Sequence, residues 1–338
     1  MNAQAKHILI TGASGFIGSH LVEAALADGF KVWAQVRKTS SRKWLADKRL
    51  HFIETDLSDK KAIKKALVAT GTTFNGVLHC AGVTKVRRRE DFFNINTSGT
   101  RHLAEALIET GKLEGRFVYF SSLSVMGDLR EHPYPYIPFK QTDCPCPNTD
   151  YGRSKLEAER ALSTTKGLDY VVLRPTGVYG PRERDYYMMA QSIKRHIDFS
   201  VGYRPQELTF IYVKDLAHAA LLALEHGPSK RAYFLTDGNT YNSRCFSDLL
   251  QAEMGVRRVV HIKTPLWVLR SACAISGTWA SIRGKAATLN MDKFRIMRQR
   301  NWKCDISATN ELLGFLPQYD LEQGVKETVN WCKEEGWL

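Results

Sequence analysis

Short apolar, β-branched runs alternate with stretches of helical periodicity along the first half of the chain. The runs show little internal alternation of polar and apolar residues, which is typical of strands covered on both faces. Strands are predicted at residues 7–11, 31–36, 50–54, 76–80, 116–121 and 170–174, with helices such as 19–27 and 60–68 between them. This order predicts βαβ units, and therefore an α/β, doubly wound fold built on a parallel sheet.

The alternation stops near Tyr179. We expect residues 1–180 to form the first domain, with part of 205–240 returning to it. Residues 181–338 should form mainly a smaller C-terminal lobe that binds the substrate. Five prolines between residues 130 and 148 predict a long loop there. The length of that loop suggests a lid or rim of a functional site.

Composition narrows the class of protein. The chain has 338 residues, of which 43% are apolar and 25% charged, as in a globular protein rather than a disordered one. The net charge of +13 is concentrated, because residues 257–303 hold eleven basic residues and one acid, Asp292. The rest is nearly neutral, so nucleic-acid binding is not predicted. Three roles stay open for the basic stretch: a solvated face, a pocket for an anionic substrate, or contact with an anionic membrane.

The most apolar segment, residues 264–282, lies inside this basic stretch. Arg270 interrupts the segment, and a helix that spans a bilayer needs about 20 apolar residues. We expect an amphipathic helix packed in the C-terminal lobe. Peripheral membrane contact is the less favoured alternative.

Cysteine usage bears on compartment and metal binding. The seven cysteines are an odd number and do not form the pattern of a disulfide framework. No charged-then-apolar signal precedes the first motif, which begins at Thr11, so we expect a protein of the reducing cytosol. Cys144 and Cys146 resemble half of a metal site, but zinc needs a second pair of ligands and the sequence has none at that spacing. No metal is expected.

The first strand is followed at once by Gly12-x-x-Gly15-x-x-Gly18, at the head of the first predicted helix. In this context Gly12 permits a tight turn, Gly15 lets a pyrophosphate approach the backbone, and Gly18 lets the helix pack on the strand. Unpaired N–H groups at the helix N-terminus attract phosphates. A dinucleotide is therefore predicted to bind here, at Gly12, Ser14, Gly15, Phe16, Ile17 and Gly18.

The end of the second predicted strand selects between cofactors. An acid there would accept a hydrogen bond from the ribose of NAD, but the chain has Arg37 and Lys38 instead. Two cations suit a 2′-phosphate, so NADP is favoured over NAD. The alternative is that both cations only face solvent. Further along the sheet, Asp56 and Leu57 are placed to contact adenine, and Cys80, Ala81 and Gly82 to let the cofactor pass close to the backbone.

A phenol and an ammonium stand four residues apart at Tyr151 and Lys155, at the head of a predicted helix. Side chains at this spacing share a helix face, and a nearby ammonium lowers the pKa of a tyrosine toward working pH. Such a tyrosine serves as general acid and base at an alcohol or carbonyl. Ser122, at the end of the fifth strand, is our choice to hold the reacting oxygen, with Ser121 and Ser124 as alternatives.

Together these motifs resemble the extended short-chain dehydrogenase/reductase superfamily, in particular its NAD-dependent epimerase/dehydratase group with dihydroflavonol-reductase-like and hydroxysteroid-dehydrogenase-like members. The resemblance covers residues 5–225 and the C-terminal tail. The motifs that carry it are TGASGFIGSHL at 11–21, DLSD at 56–59, HCAG at 79–82, NTSGT at 96–100, SSLSVMG at 121–127, YGRSK at 151–155, LRPTGVYGP at 173–181 and FIYVKDLAHA at 210–219.

The resemblance implies a Rossmann-type domain, a nicotinamide cofactor and a catalytic triad of Ser122, Tyr151 and Lys155. Tyr151 would exchange a proton with the substrate oxygen while hydride moves to or from the nicotinamide. Lys155 would also hold the nicotinamide ribose. Asn96 matches the position of a supporting asparagine in related enzymes.

The same resemblance implies that Pro175, Thr176 and Val178 lie beside the nicotinamide. Relatives often form homodimers through a four-helix bundle, which in this chain would use helices near residues 98–110 and 151–165. We therefore expect a homodimer.

Members of the superfamily catalyse several reactions. The positions at which this chain differs from the sequence patterns of each group indicate which reactions are expected. Dehydratases carry Thr-Asp-Glu where this chain has Ser122-Leu-Ser124, so dehydration is not expected. Sugar-nucleotide epimerases often carry an asparagine where Thr176 and Gly177 stand. We therefore expect a reductase or dehydrogenase that transfers hydride between NADP(H) and a secondary alcohol or ketone, its substrate being a small anionic or apolar molecule. A sugar-nucleotide epimerase that retains NAD and a non-catalytic NADP-sensing regulator are the alternatives.

Overall fold

Strands and helices alternate through the N-terminal half, as the pattern predicts. The computed structural model describes residues 6–282 and 289–338. In chain order this half contains β1 (His7–Thr11), α1 (Phe16–Ala27), β2 (Lys31–Val36), β3 (His51–Glu54), α2 (Lys60–Ala69), β4 (Phe74–His79), α3 (Arg89–Phe92), α4 (Gly99–Glu109), β5 (Leu113–Phe120), α5 (Asp150–Thr164) and β6 (Tyr170–Pro175). A π-helical segment (Phe93–Ser98) joins α3 to α4, and a 3-10 turn (Leu123–Val125) follows β5.

The C-terminal half is built from shorter strands and more helices. Three two-stranded pairs, β7–β10, β9–β12 and β8–β13, connect its segments. Its elements are β7 (Gly177–Tyr179), α6 (Asp185–Lys194), β8 (Ile197–Val201), β9 (Glu207–Leu208), β10 (Phe210–Tyr212), α7 (Val213–Glu225), β11 (Arg231–Leu235), β12 (Tyr241–Asn242), α8 (Cys245–Glu253), β13 (Val260–Thr264), α9 (Leu266–Ile282), α10 (Met291–Arg298), α11 (Ser307–Leu313) and α12 (Leu321–Glu334).

Seven parallel strands form the central sheet in the order β3-β2-β1-β4-β5-β6-β11. The order reverses between β1 and β4, so the connections on the two sides of this point leave in opposite directions. Ligands of doubly wound sheets bind in the crevice that this reversal opens at the carboxyl ends of the strands. The prediction of a Rossmann-type doubly wound fold is confirmed.

Two apolar layers cover the sheet, because successive strand residues point to opposite faces. On one face Ile8 and Ile10 pack with side chains of α1 and α7. On the other face Leu9 packs with side chains of α2, α4 and α5. The seventh strand, β11, comes from the C-terminal half and pairs with β6.

The C-terminal lobe has its own core, which is largely aromatic. Tyr179, Tyr186, Phe210 and Phe246 pack there with side chains of α8 and α12. The rings of Tyr186 and Phe246 stack with centroids 4.4 Å apart. Because offset-stacked rings add to the free energy of burial, this cluster fixes α6 against α8.

The apolar segment at 264–282 forms a helix, α9, that packs on the lobe through Leu269 and Cys273 and leaves large apolar side chains exposed. Leu269 and Cys273 are buried, whereas Trp267 is 73% and Ile275 66% exposed. The two buried residues are one turn apart, so only a narrow stripe of the helix faces the lobe. No helix among residues 6–282 and 289–338 has the length and hydropathy to cross a bilayer.

Candidate active site

Steric contacts explain two of the glycines in the turn between β1 and α1. Gly12 has φ of +66°, and a Cβ there would lie 2.8 Å from the backbone of Ala81. A Cβ on Gly18 would collide with the carbonyl oxygen of Gly12. Within α1, the first turn has no acidic residue and the N-cap, Gly15, has no side chain to cap it, so its N–H groups are open to an anion.

A cleft of about 780 Å³ begins at this turn and follows the carboxyl ends of the strands. Two predicted site residues, Lys38 and Asn96, do not line the described part of the cleft; Lys38 is exposed and Asn96 is buried behind it. The predicted residues that line it are Gly12, Ser14, Gly15, Phe16, Ile17, Gly18, Arg37, Asp56, Leu57, Cys80, Ala81, Gly82, Ser122, Tyr151, Lys155, Pro175, Thr176 and Val178. A glycine cradle, an open helix N-terminus and an elongated cleft fit a dinucleotide.

The far end of the cleft, beyond β2 and β3, carries polar groups of both signs. Arg37 is exposed and lines the cleft, and its backbone N–H donates to the Ser40 hydroxyl at 3.0 Å. Asp56 accepts a hydrogen bond from the Ser58 backbone N–H at 2.9 Å, and bonds from Ser58 lower the pKa of its carboxyl. This end therefore offers a guanidinium and a fixed carboxylate.

Tyr151 stands at the start of α5 and meets Ser122 at the end of β5. Burial raises the pKa of Tyr151 to about 12, and a hydrogen bond with the Ser122 hydroxyl acts in the opposite direction. Of the three candidate serines, Ser122 lines the cleft and is the one whose hydroxyl acts on the pKa of the phenol. The other two differ: Ser121 donates to the Glu159 carboxylate at 2.5 Å, and the Ser124 backbone N–H donates to the Ser122 hydroxyl at 3.1 Å.

Lys155 lies one turn further along α5 and is almost fully buried. Its Nζ donates to the Phe120 carbonyl oxygen at 2.7 Å. Burial lowers the pKa of Lys155 to about 8. The expectation that Lys155 brings the pKa of Tyr151 toward neutrality is wrong in this structure, because burial governs both groups and the ammonium is engaged by the Phe120 carbonyl.

Asn96 supports the cleft from behind. Its Oδ1 accepts from the Val83 backbone N–H at 2.8 Å, and its Nδ2 donates to the Val83 carbonyl at 3.1 Å and to the Ser154 hydroxyl at 3.0 Å. These bonds tie the segment after β4 to α5. Asn96 thereby positions the backbone around Gly82 against the helix that carries Tyr151 and Lys155.

A buried ion pair fixes α5 on the sheet. The Arg174 guanidinium on β6 donates to Glu159 on α5 at 2.6 and 3.0 Å, and both side chains are less than a tenth exposed. Ser121 donates to the same carboxylate. Because two parallel hydrogen bonds define an orientation as well as a distance, this pair sets the rotation of α5 relative to β5 and β6.

Sequence reasoning missed the contribution of α10 to the site. Asp292 Oδ2 accepts from the backbone N–H groups of Asp150 at 2.9 Å and Tyr151 at 3.2 Å. A carboxylate at these positions neutralises the positive end of α5 and holds its first turn. Since Asp292 lies 141 residues from Tyr151 along the chain, nothing local in the sequence indicates the contact.

A second cluster that the sequence did not indicate lies on the substrate side of the cleft. Lys85 Nζ lies 2.6 Å and Lys293 Nζ 3.0 Å from the two carboxylate oxygens of Asp185, at the start of α6. Burial acts against ionisation, but the two ammoniums lower the pKa of Asp185 overall. Three separate segments of the chain thus meet in one ion cluster on the cleft wall, which Glu183 and Asp292 also line.

The proline-rich loop at 130–148 does not line the described cleft, and its role as a lid or rim stays a prediction. It is fixed on the C-terminal lobe. The Phe139 backbone N–H donates to the Lys303 carbonyl at 2.8 Å, and the Tyr136 hydroxyl donates to the Pro205 carbonyl at 3.0 Å. These bonds and the buried Phe139 ring explain the length of the loop as a connection between the two halves.

Comparison with known proteins agrees with this geometry. The family model of the NAD-dependent epimerase/dehydratase family matches residues 8–236, and the chain belongs to this family. Among curated proteins, it is 28% identical over 337 residues to the UDP-glucose 4-epimerase of Vibrio cholerae, covering 96% of this chain and 94% of that protein. It is 26% identical over 335 residues to the ceramide reductase of Caulobacter vibrioides, and the match covers 98% of this chain and 96% of that protein.

A solved structure shows the same fold at lower identity. The Bordetella bronchiseptica enzyme WbmG, in complex with NAD, superimposes with a TM-score of 0.77 at 21% identity and covers 99% of this chain and 96% of its own. The family includes epimerases, reductases and dehydrogenases that use nicotinamide cofactors, so the chain is an enzyme of NAD-dependent type.

Proposed function

We propose that this protein is an NADP(H)-dependent oxidoreductase that interconverts a ketone and a secondary alcohol. The observation that carries the proposal is that Ser122, Tyr151 and Lys155 line the same cleft as the glycine turn. A bound nicotinamide supplies or accepts the hydride. Ser122 orients the substrate oxygen, and the Tyr151 hydroxyl gives it a proton in the reducing direction. Lys155 holds the cofactor ribose.

The protonation state of Tyr151 is the one that reduction requires. Because burial raises the pKa of Tyr151, the phenol holds its proton at neutral pH and can give it to the substrate oxygen. Oxidation of an alcohol needs the phenolate and therefore gains from higher pH. The retained Tyr151 and Lys155 argue against a non-catalytic sensor of NADP.

Arg37 supports NADP over NAD, because a guanidinium at the cleft binds a 2′-phosphate better than a ribose hydroxyl. Replacing Arg37 by aspartate should shift the ratio of kcat/KM values for NADPH and NADH toward NADH by about 10- to 100-fold, from loss of a charged hydrogen bond. Lys38→Asp is the matched control, since Lys38 carries the same charge but does not line the described cleft. An unchanged ratio in Arg37→Asp would remove the reason for preferring NADP.

A sugar-nucleotide epimerase is the second candidate, favoured by the 28% identity to the Vibrio cholerae enzyme over nearly the whole chain. A diphosphate would need free cations on the substrate side. Of the cations in the described part of the basic stretch, Lys293 lines the cleft, and it is paired with Asp185. This pairing supports the reductase over the epimerase.

The deciding experiment measures cofactor exchange. Purified protein should oxidise added NADPH in the presence of ketones and release no nucleotide when it is denatured. An epimerase should instead release NAD on denaturation and interconvert sugar nucleotides without added cofactor. The second result would reverse our ranking.

Replacing Ser122 by alanine should slow alcohol oxidation about tenfold and move its alkaline rise to higher pH. The hydrogen bond that lowers the pKa of Tyr151 is lost, so the phenolate forms only at higher pH. Ser122→Thr retains a hydroxyl and should keep the wild-type profile, and Ser124→Ala serves as a control nearby. A pH–rate profile that is the same in Ser122→Ala and wild type would assign the contact no role in proton transfer.

A further inference from the structure

An exposed apolar surface lies on the C-terminal lobe, away from the sheet. Its residues come from α9 and from the neighbouring pair β8–β13. We call it the α9–β13 surface, and its large apolar members are Phe199, Val260, Ile262, Trp267, Val268 and Ile275, all of them exposed. Trp267 and Ile275, 73% and 66% exposed, are the most prominent on the helix.

The helix lies flat on the lobe rather than projecting from it. Leu269 and Cys273 pack in one cluster with Val201 of β8 and Phe294 of α10. Phe199 stands two residues before Val201 and therefore points to the same face of the strand pair. The apolar residues of the helix and of the strand pair thus belong to one continuous surface.

The charged side chains of α9 and β13 are of one sign. The sequence has no acidic residue from 257 to 291. Among residues 6–282 and 289–338, no carboxylate forms an ion pair with an arginine or lysine between residues 257 and 270. The cations from residue 293 to residue 303 are instead paired with carboxylates or buried. The exposed cations without such a partner are Arg257, Arg258, Lys263 and Arg270. Arg283 and Lys285, also in the basic stretch, lie outside the described residues.

We propose that the α9–β13 surface docks on the face of a lipid bilayer rich in anionic phospholipid. A flat helix that presents tryptophan and aliphatic side chains, bordered by basic residues, is suited to the boundary between headgroups and acyl chains. The cations would meet the negative surface potential of the bilayer. A second copy of the chain is a poorer occupant, because a symmetric contact would bring these cations against one another.

The surface is joined to the cleft by one packed helix pair. Phe294 of α10 packs against Leu269 and Cys273 of α9, while Lys293 and Ile296 of α10 line the cleft. The proposal does not depend on the reaction that the cleft catalyses. The docking test does not require catalytic turnover. Failure of the docking proposal can therefore be distinguished from failure of the proposed oxidoreductase activity.

The test is co-sedimentation of the whole protein with vesicles. One set contains phosphatidylcholine alone, and the other contains equal parts of phosphatidylcholine and phosphatidylglycerol. We expect binding to the anionic vesicles that weakens as salt is raised. Arg257→Gln with Lys263→Gln should bind about 30-fold more weakly, from the loss of two cations near the headgroups. Trp267→Ser with Ile275→Ser should weaken binding at least tenfold.

Control variants distinguish docking through this surface from non-specific hydrophobic adsorption to vesicles and from misfolding. Val68→Ser with Leu316→Ser removes two exposed apolar side chains elsewhere and should bind like wild type. Cofactor binding, followed by nucleotide fluorescence, should be equal in all variants. The proposal is overturned if the wild-type protein does not bind anionic vesicles, or if the surface variants bind them as well as the wild-type protein does. It is also overturned if light scattering shows that Trp267→Ser with Ile275→Ser dissociates a dimer, because the surface is then an interface between copies.

Discussion

Replacing Tyr151 by phenylalanine should lower kcat by about 10²- to 10⁴-fold while leaving cofactor affinity nearly unchanged, because only the proton donor is removed. The ring of Tyr151 keeps its packing, and the Ser122 hydroxyl loses only one partner. Steady-state reduction of a ketone, together with nucleotide binding by fluorescence, measures both quantities.

Tyr136→Phe is the matched control for this prediction. It also removes a phenol hydroxyl, but that hydroxyl bonds the Pro205 carbonyl and Tyr136 does not line the described cleft. We expect it to keep wild-type kcat. If Tyr151→Phe keeps wild-type activity as well, another group must protonate the substrate and the proposed mechanism fails.

Removing one partner of the buried ion pair should destabilise the fold strongly. Glu159→Ala leaves the Arg174 guanidinium buried without its carboxylate, and we expect the free energy of unfolding to fall by about 3–5 kcal/mol. Ser121 loses its acceptor at the same time. Urea unfolding followed by circular dichroism measures the change.

A surface pair provides the comparison. Glu54 pairs with Arg42 at 3.2 Å, and both side chains are about half exposed. Glu54→Ala should therefore cost only about 0–1 kcal/mol. Replacing both buried partners, Glu159→Leu with Arg174→Met, should recover much of the stability lost in Glu159→Ala. Equal losses in Glu159→Ala and Glu54→Ala would show that the buried pair does not hold α5 on the sheet.

Much of the cofactor end of the cleft could be predicted because its residues lie close together in sequence. The turn from Gly12 to Gly18 is a local structure: Gly12 takes a positive φ, and a Cβ on Gly18 would meet the Gly12 carbonyl of the same strand–helix junction. Tyr151 and Lys155 are brought to one side by the period of a helix. The strands of the sheet could be predicted for the same reason. A strand that is covered on both faces needs a continuous run of apolar residues, and such a run is a local sequence pattern.

The sequence misjudged what depends on burial and surroundings. Spacing alone indicated that Lys155 would lower the pKa of Tyr151, but desolvation of both side chains and the Phe120 carbonyl reverse the expected balance. The partners of the loop at 130–148, which include Lys303, are distant in sequence and could not be inferred from the loop itself.

The sequence by itself determined the doubly wound sheet, the glycine turn after β1 and the position of Tyr151 and Lys155 one turn apart on α5, because each follows from periodicity or from contacts between near neighbours. Only the tertiary structure decided that Asp292 holds the start of α5, that Lys85 and Lys293 share Asp185, and that one side of α9 stays exposed. These features join residues a hundred or more positions apart, or depend on how much of a helix its neighbours cover. Tertiary packing determines both the distant contacts and the exposed fraction of a helix, and no local sequence pattern encodes them.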